Sequence, residues 1–251
     1  GATGSSQAQE MMEAFGEAIS FAGAEYVQMG DSGIASRLTS ELQTGNVTAD
    51  ATISSGRGAL ATLQTESDAS RQNPDYLNDF FDELGYPEES YGDYYYPFNV
   101  FPIVTYYNKN RISEDELPDS YLGMTEDRFD GEIVSESPAV MGGMDAFWAT
   151  LHAEWGESKF EEWAQGLLDN NIQLTASGGT AYAELANGNN MIGFGLIDDL
   201  VRARQDGEPN ADIAWEMMNP HATELLFPGV LVNESPNPGM GEPFAASAAS
   251  R

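Results

Sequence analysis

The sequence predicts a layered α/β fold with parallel strands, and two observations carry that expectation. Helix-like and strand-like patterns alternate from residue 6 to residue 58, and the alternation resumes after Gly131. In the second stretch, FDGEIVSESPAVMGGMDAFW, LTASGG and IGFGLIDD each end a strand-like run in small or acidic residues where a helix pattern opens. Three such junctions bring backbone N–H groups, hydroxyls and carboxylates to helix starts, which are the parts of one polar ligand site. With 251 residues, the chain can build one large domain or two small ones around an ample core.

Ser6-Gln7-Ala8-Gln9 reads as a capping box for a helix with Met12, Phe15 and Ile19 on its apolar face. A strand is expected over Ala24 to Met29. Asp31 or Ser32 then caps a helix with Ile34, Leu38 and Leu42 on one side and Gly45 at its C-terminal cap. Ala49 to Ser54 is a short strand ending in Ser54-Ser55-Gly56. Periodicity weakens between Glu66 and Asp93, where acids, Pro and Gly punctuate the chain. Tyr94-Tyr95-Tyr96-Pro97-Phe98 leads into an apolar, β-rich run from Val100 to Tyr107 that suits a crossing between lobes. Asn108 to Asp127 is a polar excursion. Asp145 to Trp155 is a helix burying Phe147, Leu151 and Trp155 and ended by Gly156; Ser158-Lys159-Phe160-Glu161 is a capping box for a helix through Leu168. Ile192 to Ile197 is a strand, Asp199 to Gln205 a helix, Ile213 to Met217 a strand, and Leu225 to Val232 an apolar return crossing.

The bulk property that stands out is charge: 41 acidic residues against 10 basic ones, a formal net charge of −31. Self-repulsion of this size opposes a compact state in dilute buffer. Concentrated salt removes most of it, because the screening length falls to roughly 3 Å at 1 M. A salt-loving organism, a halophilic archaeon, is therefore the expected source. The same charge disfavours nucleic acid and anionic membrane surfaces as partners. The absence of cysteine excludes disulfides, thiolate metal sites and cysteine nucleophiles.

Five segments carry a resemblance. Tyr26 to Leu60 resembles the first-lobe strand, helix and strand of the ferric-iron-type solute-binding proteins of ABC importers. Thr105-Tyr106-Tyr107-Asn108-Lys109 is similar to that family's tyrosine-asparagine-lysine signature. Phe129 to Met144, Ser177 to Asp199 and Leu226 to Pro238 follow in the family's order. The resemblance implies an α/β, two-lobed type II periplasmic-binding-protein fold with a ligand cleft between the lobes. Lobe one is then 1–97 and 227–251, and lobe two 98–226. It implies an extracellular, cell-surface-associated monomer, with signal and anchor removed, that delivers a small molecule or metal ion to a permease and makes no chemical change. No cofactor is implied; Fe3+ would be cargo. Two departures stand against the family pattern. Asp198-Asp199 replaces the adjacent tyrosines that hold iron in such relatives, and the terminal segments are shorter than the pattern expects.

The candidate ligand residues are Ser54, Ser55, Gly56, Tyr96, Gly142, Gly143, Ser177, Gly178, Asp198 and Asp199. The serines and glycines offer N–H groups and hydroxyls to a polar ligand, or serve as ordinary turns and caps. Asp198 and Asp199 fit a hard cation or a ligand amine, or stabilise a helix start through its dipole. Facing an anion they would repel it, which argues against a simple phosphate site. Tyr96 is a phenolate or stacking group, or hydrophobic cover for the crossing strand. His152 reads as structural, whereas His221, in a loop, joins Asp198 and Asp199 as a candidate metal ligand. The chain lacks a Gly-x-Ser-x-Gly elbow, a phosphate-binding lysine loop and a His-Glu-x-x-His pair. A secreted hydrolase working through a carboxylate pair is the alternative from another class.

Overall fold

A computed structural model describes residues 12–17, 25–27, 29, 31–53, 72–86, 93–140, 143–205, 213–216, 218, 224–239, 241–243 and 245. The chain divides into two compact units, Gly1–Val100 with Leu226–Arg251, and Phe101–Leu225. Among the described residues no helix is long and apolar enough to cross a membrane.

In the first unit, α1 (Asp31–Thr44) ends as its sequence requires. Gly45 adopts φ +64°, its N–H donates to the Leu42 carbonyl, and the Asn46 N–H donates to the Glu41 carbonyl, a Schellman closure. Leu38 of α1 packs with Ala35 against Val232. Strand β1 (Ala51–Ile53) pairs antiparallel with β7 (Glu224–Leu231), Ala51 opposite Leu231. Residues 25–27 and 29, where a strand was expected, form no strand, and Val27 is 57% exposed.

The weakly periodic stretch holds a helix, α2 (Asp75–Glu83), started by Pro74 and closed by Gly85 at φ +78°. Leu77 and Phe81 are fully buried and meet Tyr96, Phe98, Leu231 and Ala245. Tyr86, just past the cap, sets its ring edge-on to Phe81 at 5.8 Å, the apolar contact that accompanies a Schellman end.

Among the described residues the second unit is built on a five-stranded sheet. The later part of β2 (Tyr96–Asn108) is antiparallel to β5 (Ile192–Leu196) on one side and to β6 (Ile213–Glu216) on the other. Strand β3 (Ile133–Glu136) runs parallel to both β5 and β4 (Gln173–Thr175), giving the order β6-β2-β5-β3-β4. Both β3 and β5 are buried along nearly their whole length, so their apolar runs are continuous rather than alternating. One face is covered by α5 (Gly178–Ala186) and α6 (Ile197–Gln205) through Ala181, Tyr182, Leu185, Leu200 and Ala203. The aromatic cluster of the unit, Phe147, Trp148 and Trp163 with Tyr121 around Phe194 of β5, joins α3 (Gly143–Trp155) to α4 (Glu157–Asp169). The expected capping box at Ser158 does not form, because α4 starts two residues earlier, with Gly156 at φ +76° as its N-cap. A capping box does form at Ser113 and Glu116, in the polar excursion.

Candidate functional site

Because β3, β4 and β5 are parallel, their C-terminal ends share one edge of the second unit's sheet. Helix α5 follows β4 and α6 follows β5 at that edge, and α3 begins seven residues after β3. In open α/β sheets, ligands bind outside such strand ends. Two contacts draw the junctions together. The Gly178 N–H, at the start of α5, donates to Glu136 Oε2 at 2.7 Å, and the Ser137 N–H donates to the Thr175 carbonyl at 2.9 Å.

The expected residues fall into three groups. Ser177, Gly178, Asp198, Asp199 and Gly143 lie at this edge. Ser177 is the N-cap of α5, its Oγ accepting the Thr180 N–H at 3.1 Å, so part of its hydroxyl's capacity serves the helix. Asp198 and Asp199 lie in the first turn of α6, and both are buried, at 7% and 6% exposure. There the helix dipole favours their charge. The Asp199 carboxylate lies so close to the α-carbon of Gly178 that a methyl group at 178 would overlap it. Gly143 opens α3 with its α-carbon against Leu196, where a Cβ would come within 2.9 Å of the leucine Cδ1. At both positions a Cβ would force the facing side chain to move.

Tyr96 is placed differently, in the core of the first unit. It is fully buried, stacked on Phe81 at 6.2 Å with planes 4° apart, and its ring presses on Gly229. Burial pushes its ionisation above the ordinary tyrosine range, opposing a phenolate role. Of its two sequence readings, hydrophobic cover describes this placement. Ser54, Ser55, Gly56, Gly142 and His221 lie outside the described residues. Among the described residues, no three His, Asp or Glu side chains converge as a metal site.

Sequence reasoning missed Glu136 and Tyr106. Glu136 ends β3 immediately before the small-residue loop, a position that could have flagged it. Tyr106 stands only within the Thr105-to-Lys109 segment of the family resemblance and is not among the candidate ligand residues. The opposite edge of the sheet carries a structural clasp: Arg111 donates to the Gly188 carbonyl at 2.8 Å and to Glu132 Oε1 at 2.9 Å.

The division into two units, and helices on both faces of the second unit's mixed sheet, agree with a two-lobed α/β protein of the type II periplasmic-binding fold. The chain belongs to the family described as bacterial extracellular solute-binding protein, whose model matches residues 50–234. That description is one of binding rather than catalysis, and it gives the hydrolase alternative no support. Three solved structures share the fold. Iron-bound HitA from Pseudomonas aeruginosa is 16% identical, with 98% of this chain and 78% of that one covered at a TM-score of 0.84. AfuA from Actinobacillus pleuropneumoniae, with exogenous fructose-6-phosphate bound, is 17% identical over 98% and 76%, at 0.79. The Trichodesmium protein IdiA, or FutA, in complex with iron and citrate is 18% identical over 96% and 76%, at 0.77. An uncharacterised Haemophilus influenzae protein is 28% identical over 99 residues, 39% of this chain and 29% of its own length. The match thus spans less than a third of that relative.

Proposed function

We propose that this chain is the solute-binding subunit of an ABC importer, which captures a small solute outside the cytoplasm and hands it unchanged to a membrane permease. Family membership supports the class of function. The convergence of the α5 and α6 starts on one edge of the second unit's sheet is the observation that supports the site. The proposed ligand residues are Gly142, Gly143, Ser177, Gly178, Asp198 and Asp199 in the second unit, with Ser54, Ser55 and Gly56 proposed from the sequence alone in the first. Tyr96 is left to the core. The protein acts as a monomer associated with the surface of a halophilic archaeal cell.

The cargo is ferric iron, a ferric chelate or a small organic solute. The ligands of the structural neighbours, iron, iron with citrate and fructose-6-phosphate, span that choice. The carboxylates favour a solute with positive charge or hydrogen-bond donors: Gly178 donates its N–H to Glu136, Asp199 lies against Gly178, and Asp198 is buried in the same first turn of α6. A thermal-shift panel in concentrated KCl tests the reading, with ferric citrate, ferric ion, phosphate, fructose-6-phosphate and small amines as probes. A solute present at a hundred times its dissociation constant stabilises the fold by about 2.7 kcal/mol. Joint replacement Asp198→Asn and Asp199→Asn should remove that shift while the unliganded protein still folds. A shift of full size in the double variant would take both aspartates out of the site.

A further inference from the structure

We infer that Tyr106, a residue of the crossing strand that the proposed site does not include, is a positioning residue for that site. The inference rests on the reading that Gly178 and Asp199 line it. The Tyr106 hydroxyl donates to the carbonyl of Leu196, the last residue of β5. No loop separates that residue from α6, whose first turn carries Asp198 and Asp199. One hydrogen bond from β2 therefore acts at the junction that aims both carboxylates.

The neighbourhood is shaped around this ring. Tyr106 is buried, and it lies over the two glycines of β5. A Cβ at Gly195 would meet its Cε2 at 3.3 Å and its hydroxyl oxygen at 3.4 Å, and one at Gly193 its Cδ2 at 3.6 Å. On its other side the ring meets Tyr182 of α5 edge-on, centroids 6.1 Å apart and planes at 88°. These contacts close a circuit. Tyr106 holds the end of β5; β5 leads directly to Asp199; Asp199 lies against Gly178; Gly178 starts α5; and α5 returns to Tyr106 through Tyr182. A shift at the β5–α6 junction must move the Asp199 carboxylate relative to Gly178, because a packed interior transmits displacement rather than absorbing it. Tyr106→Phe opens the circuit at a single point while keeping the ring.

The test uses the full chain in 3 M KCl. In amide nuclear magnetic resonance spectra without ligand, Tyr106→Phe should move the Gly178, Asp198 and Asp199 resonances by more than a linewidth and leave those of α4 in place. In a double-mutant cycle with Asp199→Asn, the two losses in melting temperature should sum to more than the double variant loses. Unmoved resonances at Gly178 and Asp199, or strictly additive losses, would overturn the assignment. Should Tyr106→Phe fail to fold, Gly195→Ala, which crowds the same hydroxyl, should move the same three resonances, and its failure to do so counts equally against the inference. For any probe that saturates the wild type, Tyr106→Phe should weaken affinity about tenfold, the low end of what losing an outer partner costs at a metal site; unchanged affinity would overturn the positioning role. The ligand-free measurements do not depend on the panel, so loss of the importer reading and loss of this inference are separate results.

Discussion

Gly178 has the Asp199 carboxylate against its α-carbon, whereas Gly179, the next residue, has nothing within 4 Å of where a Cβ would stand. The pair forms an internal control. Gly178→Ala should lower both the melting temperature and solute affinity, whereas Gly179→Ala should leave affinity unchanged and hold or raise the melting temperature; calorimetric titration beside thermal unfolding checks both. A second residue-level prediction concerns acid. Burial works against the charged Glu41 carboxylate. Hydrogen bonds from Arg37 Nε at 2.6 Å and from the Thr48 N–H at 2.9 Å and hydroxyl at 2.8 Å outweigh it, holding its pKa below the ordinary glutamate value. A depressed folded-state pKa contributes stability that is present above the unfolded value and fades as pH falls through the folded one. Glu41→Gln should therefore cost melting temperature near neutrality, and the difference from wild type should shrink below the ordinary carboxylate range. A difference independent of pH would show that the charge is not the source. At this scale the sequence was a partial guide. Asp198, Asp199, Ser177 and Gly178 were visible from their place at strand ends, while Glu136 and Tyr106 acquire meaning only from partners far along the chain.

Helix α2 shows why an element can escape a reading by periodicity. Of its nine residues only Leu77 and Phe81 are buried, and acids fill much of the rest, so the apolar stripe is one pair wide. The end signals were stronger than the periodicity: Pro74 fixes the entry, and Gly85 supplies the left-handed turn. Phe81→Ala should cost about 3–5 kcal/mol, the range for truncating a buried aromatic, read from denaturant unfolding. Gly85→Ala should cost about 1 kcal/mol through backbone strain alone. Equal effects from the two would mean that α2 contributes little to the first unit's core. The well-read elements share one physical property. Helix α1 has an apolar face and a glycine stop; β5 is continuous apolar chain; α3 carries Phe147 and Leu151 at helical spacing and both are buried. Where burial is deep and local, pattern predicts the element. The residues around Val27 have the composition of a strand, yet Val27 itself is 57% exposed.

For the whole molecule, net charge sets conditions more than architecture. A charge of −31 leaves few internal neutralising pairs; among the described residues, Arg37–Glu41, Arg111–Glu132 and Arg128–Glu126 are ion pairs. Exposed pairs of this kind are worth about 0–1 kcal/mol each and cannot offset repulsion spread over the surface. Melting temperature should rise steeply between 0.1 and 3 M KCl, with the largest gain at the low end, where screening changes fastest, roughly 10 Å to 3 Å between 0.1 M and 1 M. A flat profile would remove the halophilic reading and leave the fold and family untouched.

The aromatic cluster around Phe194 has an optical consequence. All four tryptophans of the chain, Trp148, Trp155, Trp163 and Trp215, belong to the second unit, so the first emits only through tyrosine. Excitation at the red edge of the absorption band therefore lights one half of the molecule and leaves the other dark. Melting followed by that emission reports the second unit alone, whereas the far-ultraviolet dichroic signal sums both. Coincident curves would mean that the two halves unfold together, and separated curves would give each half its own stability without cutting the chain.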